Sequence, residues 1–387
     1  MKKYNYNTHT YKSNYKALYS VDEIVKEYEK CGFKAIGISD NIVMPYDVYN
    51  KLYLHPLEIK NYIKEINKVK KKHRSISINV GFICNYDIKY SKYLLYLKSV
   101  SDFMALSTME PEDNTYYSYP KMISENICCA LETGLFDFVV HPDIFLKFRD
   151  KVTDKKRYMK ECDKALDAIC LKAKKYDIPL ELNLKYLNNI KIMQDDDYPY
   201  PTKMFINKLI KYKNICITGI DMTNLSDIKK YETSINKLEK MYPTLNINKS
   251  YNLANSNKAL EKKLKSFKNK AKSYEYYIVK IILEKTDYNA SIDEYIETIN
   301  SFIKKTKNNY SEIINTMKKN IEITENSILN IDLKQKVIKR YKEHMVFNRK
   351  TFENKINILN DIIIKIKKLS NNNNKLRKRI KDYYSNI

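Results

Sequence analysis

Three residues of this chain, each at the end of a strand-like run of residues, are of types that commonly serve as ligands of divalent metal ions. They are His9, His141 and Asp221. Two imidazole rings and one carboxylate are enough to hold a single ion such as zinc, manganese or iron. The three residues lie far apart in sequence, so this chemistry requires a fold that brings the ends of distant strands together.

Strand-like and helix-like segments alternate up to about residue 245. Runs rich in β-branched and aromatic residues, each bounded by turn residues, predict the strands. Helix signals separate them. Ser20 with Glu23 three residues later forms a capping box, for example, and Gly32 ends that helix. The predicted strands cover about residues 3–8, 34–40, 75–84, 102–108, 136–140, 178–184 and 215–221, and the predicted helices about residues 20–32, 56–73, 88–100, 120–134, 154–176, 202–213 and 225–241.

Repeated strand–helix units indicate a parallel sheet, because a parallel strand returns through a crossover helix. Seven such units in this length favour a seven-stranded β/α barrel of the TIM-like kind, and an open doubly wound sheet is the alternative. In a barrel the carboxyl ends of all strands meet at one mouth. His9, His141 and Asp221 are therefore predicted to face one another there.

The C-terminal part is predicted to be almost wholly helical. Neither glycine nor proline occurs after Pro243, and these are the residues that make turns and end helices. A capping box at Ser291 and Glu294 opens an apolar heptad, and a second heptad begins at Ile331. This spacing predicts an antiparallel coiled-coil hairpin that turns near 324–330, preceded by a helix over about 254–286. The predicted domains are a barrel, 1–248, and a helical coiled-coil tail, 249–387.

The chain is basic, with 71 Lys and Arg residues against 46 Asp and Glu and a formal net charge of +25. This balance favours anionic partners, but an AT-rich coding sequence also produces abundant Lys, Asn, Ile and Tyr. The seven cysteines include no C-x-x-C pair. No apolar run has the length of about 18 residues that a membrane span needs. We expect a cytoplasmic protein with reduced thiols, without a membrane span or secretion signal.

Six short motifs together resemble the PHP (polymerase and histidinol phosphatase) domain, and in particular its histidinol-phosphatase-like branch. The resemblance covers about residues 1–235. It implies a distorted seven-stranded β/α barrel whose strand ends bind up to three metal ions for phosphoester hydrolysis. The motifs are Asn7-Thr8-His9-Thr10, Gly37-Ile38-Ser39-Asp40-Asn41, Gly81-Phe82-Ile83, Phe136-Asp137-Phe138-Val139-Val140-His141-Pro142-Asp143, Leu180-Glu181-Leu182-Asn183 and Gly219-Ile220-Asp221-Met222-Thr223.

Most of the ligand positions that the resemblance implies carry other residues here, and only His9, His141 and Asp221 match out of nine. Asn7, Tyr15, Asn41, Met109 and Thr223 stand where the family has histidine, and Ile83 stands where it has a bridging glutamate. Asp40, Asp143 and Asn183 are either ligands or turn and cap residues. We call the following set the strand-end pocket: His9, His141 and Asp221 with Asn7, Tyr15, Asp40, Asn41, Ile83, Met109, Asn183 and Thr223.

The loss at Ile83 is the most damaging, because several divalent ions need anionic ligands and an alkyl side chain offers neither charge nor a lone pair. Cys84 does not replace that ligand, since adjacent residues of a strand point to opposite faces. The leading hypothesis is therefore a catalytically degenerate PHP-domain protein, a pseudoenzyme without a cofactor. It would bind partners or act as a scaffold through its barrel and tail.

Three other interpretations stay open. The first is a remnant site at His9, His141 and Asp221 that holds one divalent ion (Mn, Fe or Zn) and has weak phosphatase activity. The second is a metal-dependent phosphoesterase of the histidinol-phosphatase type, acting on a small phosphate monoester. The third is nucleic-acid binding through the basic tail, which no recognised motif supports. The expected partner is another protein or a second copy of this chain, bound through the coiled coil. Membrane binding is not expected.

Overall fold

The structure is a computed structural model that describes residues 3–12, 17–44, 53–108, 111, 115–185, 187, 201–248, 251, 253 and 291–370. Contacts divide the chain into two compact units. One unit contains Met1–Ile42 with Ile63–Lys270, and the other contains Val43–Tyr62 with Ala271–Ile387. The predicted boundary at residues 248/249 stays a prediction. The predicted helix over 254–286 lies outside the described residues.

Seven parallel strands form the sheet of the first unit, and each strand pairs with the next one in the chain. A single parallel bridge between Thr8 and Met222 connects the residues that follow the first and last strands, so the sheet closes into a barrel. The prediction of a seven-stranded β/α barrel is confirmed. The strands are β1 (Lys3–Asn5), β2 (Phe33–Asn41), β3 (Ser77–Cys84), β4 (Phe103–Leu106), β5 (Phe138–Val139), β6 (Leu180–Asn183) and β7 (Cys216–Gly219).

Helices follow the strands in the predicted order. The capping box at Ser20 and Glu23 is present at the start of the first helix. The helix predicted to begin at Pro56 opens instead with a 3-10 turn, Pro56–Glu58. The region predicted as one helix over 225–241 contains two helices. The capping box of Asn224 and Asp227 begins the first one, which has only five residues. The helices are α1 (Val21–Lys30), α2 (Ile59–Lys72), α3 (Ser91–Val100), α4 (Tyr119–Glu132), α5 (Lys155–Lys175), α6 (Lys203–Tyr212), α7 (Leu225–Lys229) and α8 (Tyr231–Met241).

Aromatic side chains fill the inside of the barrel. We call this cluster the barrel core: Tyr4, Tyr6, Ile83, Phe103, Ala105, Phe138, Val140 and Ile217. The Phe103 ring stacks on Phe138 with a centroid distance of 5.8 Å. It fits only because the neighbouring strands carry glycine, since a Cβ at Gly81 would lie 2.1 Å from the ring and one at Gly37 2.5 Å from it. Burying one such ring contributes about 1.5–3 kcal/mol.

The second unit contains two long helices, α9 (Ile292–Glu325) and α10 (Ile331–Ser370), which contact each other. The turn between them is short, so they run antiparallel, as the heptads predict. The capping box of Ser291 and Glu294 begins α9. The rings of Tyr310 and Phe352 stack 4.4 Å apart between the two helices. Coiled-coil packing stays a prediction. Within the described part of the chain, no helix has the length and apolar character needed to cross a membrane.

Candidate functional site

The carboxyl ends of the strands bring together residues from the first, second, fifth, sixth and seventh strands. Two of these residues have left-handed backbones, His141 with φ of 47° and Asp221 with φ of 42°. A non-glycine residue in this region costs about 1–3 kcal/mol and persists only where its surroundings fix it. Of the predicted strand-end pocket, Tyr15 and Met109 lie outside the described residues. Asn41 is half-buried at the end of β2 and pairs in register with Ile83.

His9 and Asp221 are hydrogen-bonded, with 3.0 Å between His9 Nε2 and Asp221 Oδ1. Because a carboxylate only accepts, Nε2 carries the proton of this bond. The other ring nitrogen, Nδ1, is buried without a hydrogen-bond partner and lies 4.0 Å from Asp40 Oδ1. The second oxygen of Asp221 lies 3.2 Å from the Lys185 ammonium. Both oxygens of this carboxylate are therefore engaged within the protein.

Asp40 and Asp143 hold loops in place. The Thr10 amide and hydroxyl donate to the two oxygens of Asp40, at 2.7 and 2.6 Å. The Thr202 amide and hydroxyl donate to Asp143 Oδ2, at 3.0 and 2.8 Å. Burial raises the pKa of Asp143 to about 6. Both carboxyl groups thus bind segments that are distant in sequence, and the Asp143 side chain makes no cap hydrogen bond to the 3-10 helix that follows it.

Asn183 lies beside His141, with 3.1 Å between the Asn183 amide nitrogen and His141 Nδ1. Burial lowers the pKa of His141, so this ring is neutral at pH 7. It can therefore accept the amide hydrogen at Nδ1. Of the three predicted metal ligands, His9 and Asp221 are hydrogen-bonded to each other, and His141 interacts electrostatically with Asp221.

Sequence reasoning missed Glu181, a buried carboxyl at the centre of the site. The Asn7 amide donates to its oxygens at 2.9 and 3.2 Å, and His141 Nδ1 lies 3.9 Å away. Burial, aided by the nearby charge of Asp221, raises the pKa of Glu181 to about 8. A Cβ on Gly219 would lie 1.7 Å from this carboxyl, so the glycine provides its space.

Lys185 is the second residue that sequence reasoning missed. Its ammonium donates to the Asp221 backbone oxygen at 2.9 Å and to the Thr223 hydroxyl at 3.1 Å, besides the ion pair with Asp221. Alternation along β6 was a signal for Glu181 only, because Lys185 lies in the turn beyond the end of that strand. Glu181 is two positions before Asn183 in the same strand, and such residues share a face.

Ile83 belongs to the barrel core and is 3% exposed. It packs with aromatic rings on the inside of the barrel. Cys84, the next residue, is buried and interacts electrostatically with Tyr93 of α3 on the outside of the sheet. The prediction that the two side chains point to opposite faces agrees with these contacts. The position at which the resemblance implies a bridging glutamate is therefore part of the hydrophobic interior.

Comparison with known families gives one match, in which the PHP domain matches residues 5–185. Residues 5–185 form a PHP domain. The predicted resemblance is confirmed over this range, which includes β1 to β6. Asp221 and Thr223 lie beyond it, and β7 brings them to the mouth of the same barrel.

The solved structures that are similar to this chain include two histidinol phosphatases. A Listeria monocytogenes protein assigned as a histidinol phosphatase has 18% identity, with 60% of this chain and 99% of that chain covered and a TM-score of 0.50. A Lactococcus lactis subsp. lactis histidinol phosphate phosphatase, complexed with zinc, L-histidinol and phosphate, has 18% identity, with 61% and 93% covered and a TM-score of 0.46. At this identity the Listeria structure shows a common fold. No curated protein sequence matches the chain.

The donors of this PHP domain do not fit the cluster of metal ions that its family implies. Ile83 offers no donor atom, and both oxygens of Asp40 accept hydrogen bonds from Thr10. Asp221 is divided between His9 and Lys185. Among the described residues, no three His, Cys, Asp or Glu side chains are placed to hold one ion together.

The charges around Asp221 oppose its burial. Burial alone would raise the pKa of this carboxyl, but the hydrogen bond from His9 and the electrostatic interactions with His9, His141 and Lys185 lower it overall. Asp221 is therefore ionised at pH 7, whereas Glu181 is mostly protonated. The interior of the PHP domain thus carries less negative charge than its carboxyl groups suggest.

Proposed function

We propose that this protein is a catalytically degenerate PHP-domain protein that binds partners or acts as a scaffold, and that it holds no metal cofactor. The observation that carries the proposal is Ile83. A carboxylate that bridges two cations would stand at this position, and the side chain packs instead among the rings of Phe103 and Phe138. No rotation of an isoleucine can supply charge or a lone pair to an ion.

The remaining acidic groups support the same proposal. Asp40 and Asp221 are ionisable, but their oxygens already accept hydrogen bonds from Thr10, His9 and Lys185. Losing one residue that only supports a ligand typically lowers metal affinity about 10–100-fold. Replacing six direct ligand positions has a larger effect, so two or three ions have too few donors to be retained.

The helical tail supports a scaffold role. Five large apolar side chains around the turn between α9 and α10 are exposed, and Ile328 is fully exposed. Clustered apolar residues on a surface are typical of sites that contact another protein. We infer a protein partner or a second copy of the chain as the occupant, in the cytoplasm, where the seven free thiols stay reduced. The exposed residues are Ile323, Ile328, Leu329, Ile331 and Leu333.

The rival function is a phosphoesterase of the histidinol-phosphatase type with one retained metal ion. The convergence of His9 and Asp221 at 3.0 Å, in a domain of this family, favours it. This function requires a histidine to bind the ion and requires Asp221 to exchange its protein contacts for the metal. Nucleic-acid binding through the basic tail is a third possibility, which predicts an affinity that falls steeply with salt concentration.

Hydrolysis assays on the full chain test the proposal. Purified protein is incubated with an aryl phosphate and with histidinol phosphate, with and without added manganese or zinc. We expect no turnover above background. Turnover that needs the metal and collapses in His141→Ala, but not in the control His73→Gln, would refute the proposal. His73 is a matched control because it is a buried histidine outside the strand-end pocket, bound by Asp22 and Glu29.

A further inference from the structure

The ammonium of Lys185 is surrounded by oxygen atoms of one short segment. It donates to Asp221 O at 2.9 Å, Asp221 Oδ2 at 3.2 Å and Thr223 Oγ1 at 3.1 Å. A lysine ammonium has three hydrogens, so these contacts use its full donor capacity. Both residues of this segment stand at ligand positions in the family resemblance. One positive charge therefore already occupies the oxygen-rich side of the strand-end pocket.

This arrangement is incompatible with a divalent ion at the same carboxylate. A metal ion needs an oxygen lone pair of Asp221 at about 2.0–2.2 Å. Oδ1 is taken by His9, at 3.0 Å, and Oδ2 faces the ammonium. Two cations at one partly buried carboxylate repel each other, and the interaction is strong where water is scarce. An ion must therefore displace Lys185 before it can bind.

We propose that Lys185 is the resident cation of the strand-end pocket: its ammonium takes the place of a metal ion at Asp221 and keeps divalent ions out. This inference rests on the proposed function, and it adds a mechanism for the loss of metal. The replacement of ligands explains why affinity is low. The lysine explains how the remaining Asp221 stays neutralised in a fold that no longer holds an ion.

The inference also accounts for the stability of the left-handed segment at Asp221. Without Lys185, the Asp221 carboxylate would lose its charge partner and the hydrogen bond from the ammonium. Lys185 contacts the backbone oxygen and the side chain of the same residue, so it holds the strained turn as well as its charge. A metal ion bound only by side chains would not make the backbone contact.

Replacement of the lysine tests the inference. Zinc and manganese binding are measured by calorimetry and by the shift of the unfolding temperature in the wild-type chain, Lys185→Met, Lys185→Arg and the control Lys237→Met. Lys237 is a suitable control because its ammonium donates to a backbone oxygen, that of Leu187, and to no carboxylate in the described contacts. An adjacent opposite charge changes the protonation equilibrium of a carboxylate by about 10–1000-fold, which sets the scale expected for a competing cation.

We expect Lys185→Met to unfold at a lower temperature than the wild type and to bind zinc at least tenfold more tightly. Added zinc should restore part of the lost thermal stability. Lys185→Arg and Lys237→Met should bind zinc no better than the wild type. The gain in zinc affinity must disappear in the double variant Lys185→Met/His141→Ala. This control distinguishes zinc bound in the strand-end pocket from zinc bound elsewhere on the chain.

Three results would overturn the inference: no gain of zinc affinity in Lys185→Met, a gain that survives the loss of His141, or tight His141-dependent zinc binding by the wild type. If Lys185→Met does not fold without metal, refolding in zinc replaces the affinity measurement, and failure to recover the fold overturns the inference equally. Tight metal binding by the wild type without hydrolysis would refute this inference and the metal-free part of the proposed function, but not the absence of catalysis. Metal-independent hydrolysis would refute only the proposed function.

Discussion

The buried carboxyl of Glu181 should make the stability of the barrel depend on pH in an unusual direction. Its ordinary pKa is 4.5, and in the folded chain burial raises it to about 8. Between these values the folded chain keeps a proton that the unfolded chain has released. Stability from this group is therefore present at low pH and is lost as pH rises, at about 1.4 kcal/mol for each pH unit. From pH 5 to pH 8 the loss is about 3.5 kcal/mol, because the slope is shallower near each of the two pKa values.

The substitution Glu181→Gln isolates this contribution. Glutamine is neutral and similar in shape, and its oxygen can still accept the hydrogen bond from Asn7 that the carboxyl accepts at 2.9 Å. The free energy of unfolding is measured by urea denaturation at pH 5, 6, 7 and 8. We expect the variant to gain stability relative to the wild type by about 3.5 kcal/mol across this range.

An exposed glutamate gives the matched control, because Glu125→Gln makes the same chemical change on the surface of α4. The difference between this control and the wild type should vary little with pH. If the two glutamine variants show the same pH dependence, Glu181 is ionised throughout the range. The argument that burial keeps it protonated would then be refuted.

Three further outcomes are expected. Gly81→Ala should destabilise the chain by about 1–3 kcal/mol, because its Cβ meets the Phe103 ring at 2.1 Å; urea denaturation should show partial recovery in Gly81→Ala/Phe103→Leu, and no recovery would contradict this packing. Ser291→Ala should cost about 1 kcal/mol through loss of the cap of α9; hydrogen exchange should accelerate in its first turn, and unchanged protection there would show that the cap is dispensable. A thiol reagent should modify the exposed Cys129 in the native chain and Cys84 only after unfolding, because burial raises the pKa of the Cys84 thiol and excludes the reagent; rapid native labelling of Cys84 would contradict its burial.

The order of strands and helices could be predicted from the sequence because each element has a local signal. Period-two apolar runs identify strands, and the capping box at Ser20 fixes the start of a helix to the residue. Breaks inside helical patterns were harder to predict. The apolar spacing over 225–241 continues through Lys230, where the backbone ends one helix and begins the next, so the pattern alone does not distinguish one helix from two.

For the site, the sequence predicted the positions of individual residues but not the contacts between them. Strand ends located His9, His141 and Asp221, because polar residues after apolar runs stand out. Glu181 and Lys185 were missed, since their roles come from contacts across the barrel, with Asn7 and with the segment after β7. No local pattern encodes such contacts, although alternation from Asn183 within β6 would have placed Glu181 on the inner face.

The closure of the barrel at Thr8 and Met222 links the pocket to the integrity of the ring. That seam consists of one bridge with two flanking backbone hydrogen bonds, from His9 to Met222 at 3.1 Å and from Met222 to Asn7 at 3.3 Å. Asn7, His9 and Asp221 thus belong to the two segments whose hydrogen bonds close the barrel. A substitution in the strand-end pocket should therefore also change the stability of this closure. The hydrogen-exchange rates of the His9 and Met222 amides therefore report how often the barrel opens between its first and last strands.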